Sequence, residues 1–187
     1  MSKLFVTLTR FGESKWYGRL FARALLAITL ILISGYFRFV GINWDELHHL
    51  HPDERFLTMV ATSLSPVDGG WKSYFDSSTS SLNPYNRGFG FFVYGTAPIF
   101  LVRYLAEWIN DFGVHLTNWW PASYIELGSG YDQIHLIGRI VSGICDVISG
   151  LTLYLIGALL YGRRVGFLAS VLYAGTVALV QQAHFFT

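Results

Sequence analysis

Apolar residues along this chain gather in three long stretches that begin near Leu20, Ile134 and Val165, and polar residues crowd between them. Each is long enough for a helix crossing roughly 30 Å of hydrocarbon, which takes about 20 residues. The pattern predicts transmembrane helices over 20–40, 134–161 and 165–183, with Gln181, Gln182 and His184 marking an interface at the end of the third. A fourth stretch, 89–106, is apolar and aromatic. It is interrupted by Gly90, Gly95 and Pro98 and carries Arg103 near its end, so as a span it is short and broken.

The positive-inside rule sets the expected topology, because lysine and arginine in short loops stay cytoplasmic. Residues 1–19 carry Lys3, Arg10, Lys15 and Arg19, and the turn Tyr161-Gly162-Arg163-Arg164 is also basic. If 89–106 spanned, that turn would lie opposite the N-terminus; if 89–106 lies along the outer interface, both basic clusters are cytoplasmic. The expectation is therefore an all-α polytopic membrane protein of the cell (plasma) membrane. It has a cytoplasmic segment 1–19, three transmembrane helices, and an exterior loop over 41–131 with interfacial helices at about 53–64 and 89–106. Pro52 suits the first position of the former helix, Asp53 and Glu54 complement its positive end, and Phe56, Leu57, Val60, Ala61 and Leu64 recur at helical spacing. Residues 65–87, rich in Ser, Gly, Asn, Asp and Pro, read as a flexible connector.

Composition agrees with a bilayer as solvent: 52% hydrophobic and only 13% charged is too apolar for an ordinary soluble domain. The net charge of +1 argues against a nucleic-acid binder, which needs a concentrated basic surface. Lysines and arginines before 24–37 resemble a secretory signal, but no small-x-small cleavage site follows. The apolar run continues through Phe39, Val40 and Ile42 past Arg38, which is expected to snorkel, and the reading is an uncleaved anchor. The single Cys145 lies in an apolar run and reads as packing.

The densest polar cluster, Trp44 to Arg55, follows the first apolar stretch and holds Asp45, Glu46, Asp53 and Glu54 with His48, His49 and His51. A carboxylate at a helix N-terminus stays ionised and can serve as a general base; the plainer reading is a juxtamembrane loop with first-turn helix charges. A metal is the less favoured reading, because the histidine spacing matches no strong template and Pro52 interrupts the shared face of His48 and His51. Arg139 begins the second apolar stretch near its outer end, where an unpaired charge is costly; a lipid phosphate and an exterior carboxylate are equally good partners. Asp146 is expected to make a structural hydrogen bond facing the bundle.

The run from Arg38 to Leu57, and Pro52-Asp53-Glu54-Arg55-Phe56 above all, resembles the start of the first exterior loop of GT-C glycosyltransferases. That superfamily includes protein O-mannosyltransferases and lipid A aminoarabinose transferases. The resemblance extends from about Leu20 to Thr187, through Tyr94-Gly-Thr-Ala-Pro98, Ile137-Gly-Arg139-Ile-Val-Ser142, the Tyr161-Gly-Arg-Arg turn and Gln181-Gln-Ala-His-Phe-Phe-Thr187. Where relatives place a lysine before Pro98 this chain has none, leaving Arg87 or Arg103 as the candidate phosphate contact. It implies transfer of a sugar from a polyprenyl-phosphate donor to a protein, lipid or glycan acceptor hydroxyl, with no certain cofactor. Asp53 becomes the leading catalytic carboxylate with Glu54 as its partner, and Asp45, Glu46, His51, Arg55, Arg87, Tyr94 and Arg139 become candidates for binding donor or acceptor. It also implies that the present stretch is an N-terminal piece, inactive alone, whose remaining helices and second acidic residue lie beyond Thr187. Trp44, Tyr85 and Tyr94 are candidates to stack on sugars or, each taken alone, members of an interfacial aromatic belt. The alternatives are a noncatalytic membrane assembly subunit and, behind it, a transporter fragment, for which only Asp146 lies near mid-membrane.

Overall fold

A computed structural model describes residues 2–112, 115–119 and 122–186, with side chains over 17–18, 21–112 and 126–186. The elements are α1 (Ser2–Phe39), α2 (Pro52–Ser63), α3 (Gly70–Phe75), a 3-10 turn (Pro84–Arg87), α4 (Thr96–Phe112), β1 (His115–Trp119), β2 (Ala122–Glu126), α5 (Tyr131–Tyr161), α6 (Arg163–Ala174) and α7 (Val177–Ala183). The chain is thus predominantly helical. One β element joins the expected helices among the described residues: β1 pairs antiparallel with β2, His115 opposite Glu126 and Trp119 opposite Ala122.

Two helices are long and apolar enough to cross a bilayer, Phe21–Phe39 within α1 and all of α5. A third span exists only if α6 and α7 are counted as one broken element. The single helix expected over 165–183 is interrupted at Gly175 and Thr176. Gly175 closes α6 by donating its N–H to the Val171 carbonyl at 3.1 Å, and the Thr176 hydroxyl donates to the Leu172 carbonyl at 2.8 Å. Glycine's low helix propensity and threonine's local bonding both favour a stop here.

The chain forms two compact units, residues 1–37 with 147–176 and residues 38–146 with 177–187. In the first, α5 and α6 approach so closely that a Cβ added at Gly157 would fall 2.8 Å from the Gly166 Cα. The Ser170 hydroxyl donates to the Gly150 carbonyl at 2.8 Å across the same pair. Small residues let the backbones meet, as in helix association within lipid. Phe21, Leu25, Leu32, Leu155, Leu159 and Leu172 are left exposed, the pattern of a surface that lipid covers.

The second unit has its own apolar core. Leu57, Val60, Ala61 and Leu64 on α2 form one face with Ile99, Val102 and Ala106 on α4 and with Ile134 and Ile137 on α5. Two expectations change in this unit. The helix proposed over 89–106 begins at Thr96 and continues to Phe112, since Gly90 and Gly95 disfavour an earlier start. Pro98 then lies in the first turn, where no N–H is required, and Arg103 and Glu107 pair across one turn. Residues 65–87 are also structured. Ser81 donates its hydroxyl to the Ser65 carbonyl at 2.7 Å, Arg87 bonds both the Ser81 carbonyl and the Ser65 hydroxyl, and Asp76 accepts from the Ser78 and Thr79 hydroxyls. Turn-forming composition here marks tight turns around the buried Leu82 rather than a loose tether.

Candidate functional site

Asp45 is brought inward by an unusual piece of backbone. Glu46, Leu47 and His49 have φ of 49°, 69° and 50°, a left-handed conformation that non-glycine residues adopt at a cost of about 1–3 kcal/mol each. Asn43 offsets part of this by accepting the Leu47 N–H at 3.2 Å, and the Asp45 carbonyl accepts the His48 N–H at 2.9 Å. The neighbouring α2 starts at Pro52 and is capped by His51, whose Nδ1 accepts the Glu54 N–H at 3.3 Å. Helical geometry then turns Glu54 into the unit and leaves Asp53 at the surface.

Between Asp45 and Glu54 lies Arg139, from the third turn of α5; all three side chains are fully buried. Its guanidinium uses every N–H it has. Nε and one Nη2 hydrogen go to the two Glu54 oxygens at 2.7 and 2.6 Å. The other Nη2 hydrogen and one from Nη1 go to the two Asp45 oxygens at 2.9 and 3.0 Å, and the last reaches the Ile42 carbonyl at 2.8 Å. Both carboxylates are held in fork-to-fork fashion, the strongest arrangement available to such pairs. Glu54 Oε1 also accepts the Phe186 N–H at 2.9 Å, and the Trp44 ring lies 5.4 Å from the guanidinium carbon. Burial disfavours the Asp45 carboxylate, but its hydrogen bonds and charge contact with Arg139 prevail and hold its pKa below the ordinary value.

Of the two partners offered to Arg139 by the sequence, carboxylates of the loop after α1 and of α2 are the ones it meets. Arg38 is likewise fully buried, with its Nε 2.5 Å from Asp146 Oδ2, rather than snorkelling toward headgroups. The pairing supplies the charge partner that a buried guanidinium requires, and it gives Asp146 the structural role expected of it.

The remaining candidates are distributed around this core. Asp53 is exposed and lies beside the Tyr94 hydroxyl; desolvation first, and then the interaction with Asp53, raise the Tyr94 pKa. His51 stacks on Phe185, with ring centroids 4.2 Å apart, besides capping α2. Glu46 and Arg55 are exposed. Arg87 braces the 65–81 turn, and Arg103 is buried against Glu107 and the Ser129 carbonyl. The structure therefore joins Asp45, Glu54 and Arg139 in one cluster and Asp53 with Tyr94 in another.

Sequence reasoning missed His135 and Phe186. His135 is fully buried, edge-on to His49 at 4.4 Å between centroids, and His49 Nε2 is 3.3 Å from Asp132 Oδ1. One signal was available: His135 and Arg139 are four residues apart and share a helical face. Nothing in the pattern pointed to the backbone of Phe186.

Fold and site define a helical membrane protein that carries a buried ion cluster next to an exposed carboxylate. No protein-family model matches the chain, and no curated protein and no solved structure is similar to it.

Proposed function

We propose that this chain belongs to a lipid-carrier-dependent glycosyltransferase of the GT-C kind, acting where the first loop meets the outer membrane surface. In this reading, residues 1–19 and the Arg163-Arg164 turn are cytoplasmic, and 41–131 faces outward. The observation that carries it is the division of labour between adjacent residues on α2. Glu54 is immobilised by Arg139, while Asp53 presents an exposed carboxylate beside the Tyr94 hydroxyl. A base must be both accessible and held in place, and an anchored neighbour one residue away fixes the first turn of α2.

The acceptor hydroxyl oxygen would form a bond to the anomeric carbon while Asp53 takes its proton. The bond from that carbon to the donor's phosphate oxygen breaks, and the electron pair leaves with the polyprenyl phosphate. Glu54, expected from the resemblance to share this chemistry, instead acts here by holding α2.

The test uses the full-length protein in membranes with a labelled polyprenyl-phosphate sugar, comparing wild type with Asp53→Asn. Transfer should fall at least 100-fold; equal transfer would remove Asp53 from the mechanism. Cysteine labelling at Ser78 and at Arg163 in a Cys145→Ser background tests sidedness, since labelling of both from one side contradicts the topology. A noncatalytic assembly subunit is the second reading. It is favoured by the complete internal use of Asp45, Glu54 and Arg139, and it predicts normal assembly and no transfer in every variant.

A further inference from the structure

The segment read from sequence as a loose connector builds one wall of a cleft of about 530 Å3, which α4 closes on the other side. This lies within the roughly 300–1,000 Å3 range of small-molecule sites. Its rings are Tyr74, Phe75, Tyr85 and Phe100, and its polar lining comes from Ser77 and Asn83 among others; no lining residue is charged. We propose that this cleft is a subsite for a neutral hexopyranose unit of the acceptor, an assignment that rests on the transferase reading and gives its acceptor a chemical class.

Chemistry and construction both point this way. A pyranose offers an apolar C–H face and a rim of hydroxyls, matched by aromatic faces beside hydroxyl and amide groups. Phe75 and Tyr85 are 73% and 57% exposed, an apolar exposure that a stacked ring would cover. An acidic or phosphorylated sugar would find no cation in this lining to replace its water.

The walls are also fixed before any ligand arrives. Asn83 donates from Nδ2 to the Ser77 carbonyl at 2.7 Å, Tyr74 meets Phe100 edge-on at 6.3 Å, and the Tyr85 hydroxyl donates to the Phe92 carbonyl at 3.1 Å. That last bond ties the cleft to the strand of chain whose Tyr94 contacts Asp53.

The test titrates the full-length protein in nanodiscs with methyl hexopyranosides and a neutral trihexose, with glucuronic acid as charged control. Fluorescence reads out through Trp71, stacked on Phe75 at 6.0 Å. Saturable binding of the neutral sugars is expected, weakened at least tenfold in the Phe75→Ala/Tyr85→Ala variant and retained in Asp53→Asn. With a neutral glycan acceptor, the same double variant should raise KM with little change in kcat. Absence of saturable binding, equal binding by the double variant, or a preference for glucuronic acid each overturns the proposal. Quenching of Trp71 by brominated lipid together with no sugar response would reassign the rings to the bilayer surface. If neutral sugars bind at the cleft yet Asp53→Asn transfers normally, the subsite stands and the role of Asp53 falls.

Discussion

The two units solve the problem of burial in opposite ways. In residues 1–37 with 147–176, close approach of backbones does the work: Gly157 faces Gly166, and Ser170 bonds the Gly150 carbonyl. In residues 38–146 with 177–187, charge is taken inside: Arg139 is fully buried between Asp45 and Glu54, and a fully buried Arg38 pairs with the partly buried Asp146. The difference follows from what each has to exclude. A lipid-covered hairpin gains little from burying apolar side chains, because lipid is as apolar as they are, and so it relies on fit. The other unit must hold a polar loop in one conformation at the end of its helices, and directional bonds specify a conformation where apolar contact alone does not. A buried ion cluster need not be more stabilising than an apolar replacement, but breaking it from one side is expensive.

The sharpest way to break the comparison is to remove the shared partner. Arg139→Ala leaves two carboxylates facing each other with no cation between them. Breaking a buried pair typically costs about 3–5 kcal/mol, so the variant should unfold much earlier in detergent or fail to accumulate. Arg139→Lys should recover little, since an ammonium cannot fork to both carboxylates. A loss in either variant no larger than that of an exposed ion pair would mean that the cluster is wet.

The corresponding strike at the other unit is Gly166→Leu. A Cβ there would fall 2.5 Å from the Tyr154 carbonyl oxygen and 2.6 Å from the Ala158 nitrogen, both backbone atoms that cannot rotate away. Overpacking of this kind costs about 1–3 kcal/mol. The expected result is a lower unfolding temperature with little change in the pH dependence that the ion cluster produces. Unchanged stability would show that α5 and α6 are not held at backbone contact.

That pH dependence has a definite sign. The Asp45 pKa is lowered in the folded chain from its ordinary 3.8. Its contribution is therefore fully present above about pH 4 and is lost as pH falls through the depressed value. Thermal melts from pH 7 downward should be flat in this respect until the acid region and then fall. Asp45→Asn should lower stability at pH 7 and flatten the acid limb. A variant with the same acid limb as wild type would mean that another carboxylate sets it.

How much of this was legible in the chain depends on the range of the interactions. The helices of the first two apolar stretches and α2 were readable, the latter because Pro52, Asp53, Glu54 and the spacing from Phe56 to Leu64 are local signals, whereas the break at Gly175 and Thr176 in the third stretch was not foreseen. The start of α4 was misplaced for a local reason too: aromatic content drew the boundary toward Phe89, although Gly90 and Gly95 oppose a helix there. The cluster at Arg139 was legible as a demand for some partner but not as a choice. The carboxylates it meets lie 94 and 85 residues earlier in the chain, and a left-handed run at Glu46, Leu47 and His49 is needed to deliver one of them. No periodicity encodes that bend. Arg38 was misread for the same reason, since only the fold shows that Asp146 is within reach.

The smallest effect tests whether His51 is more than a helix cap. It was a candidate for binding donor or acceptor, yet in the structure its Nδ1 accepts the Glu54 N–H at 3.3 Å, a long bond, while its ring covers Phe185. If capping is its whole contribution, His51→Ala should cost about 1 kcal/mol and His51→Ser should restore most of it, because a serine hydroxyl accepts from the first turn of a helix better than imidazole does. Ring loss against Phe185 would remain in both variants and sets the floor of the measured difference. Two outcomes separate the roles. Recovery of stability and transfer in His51→Ser makes it a cap. Recovery of stability without transfer means that the imidazole touches a substrate, and His51 would then join Asp53 and Tyr94 on the exposed side of α2, opposite the charges that Arg139 holds inside.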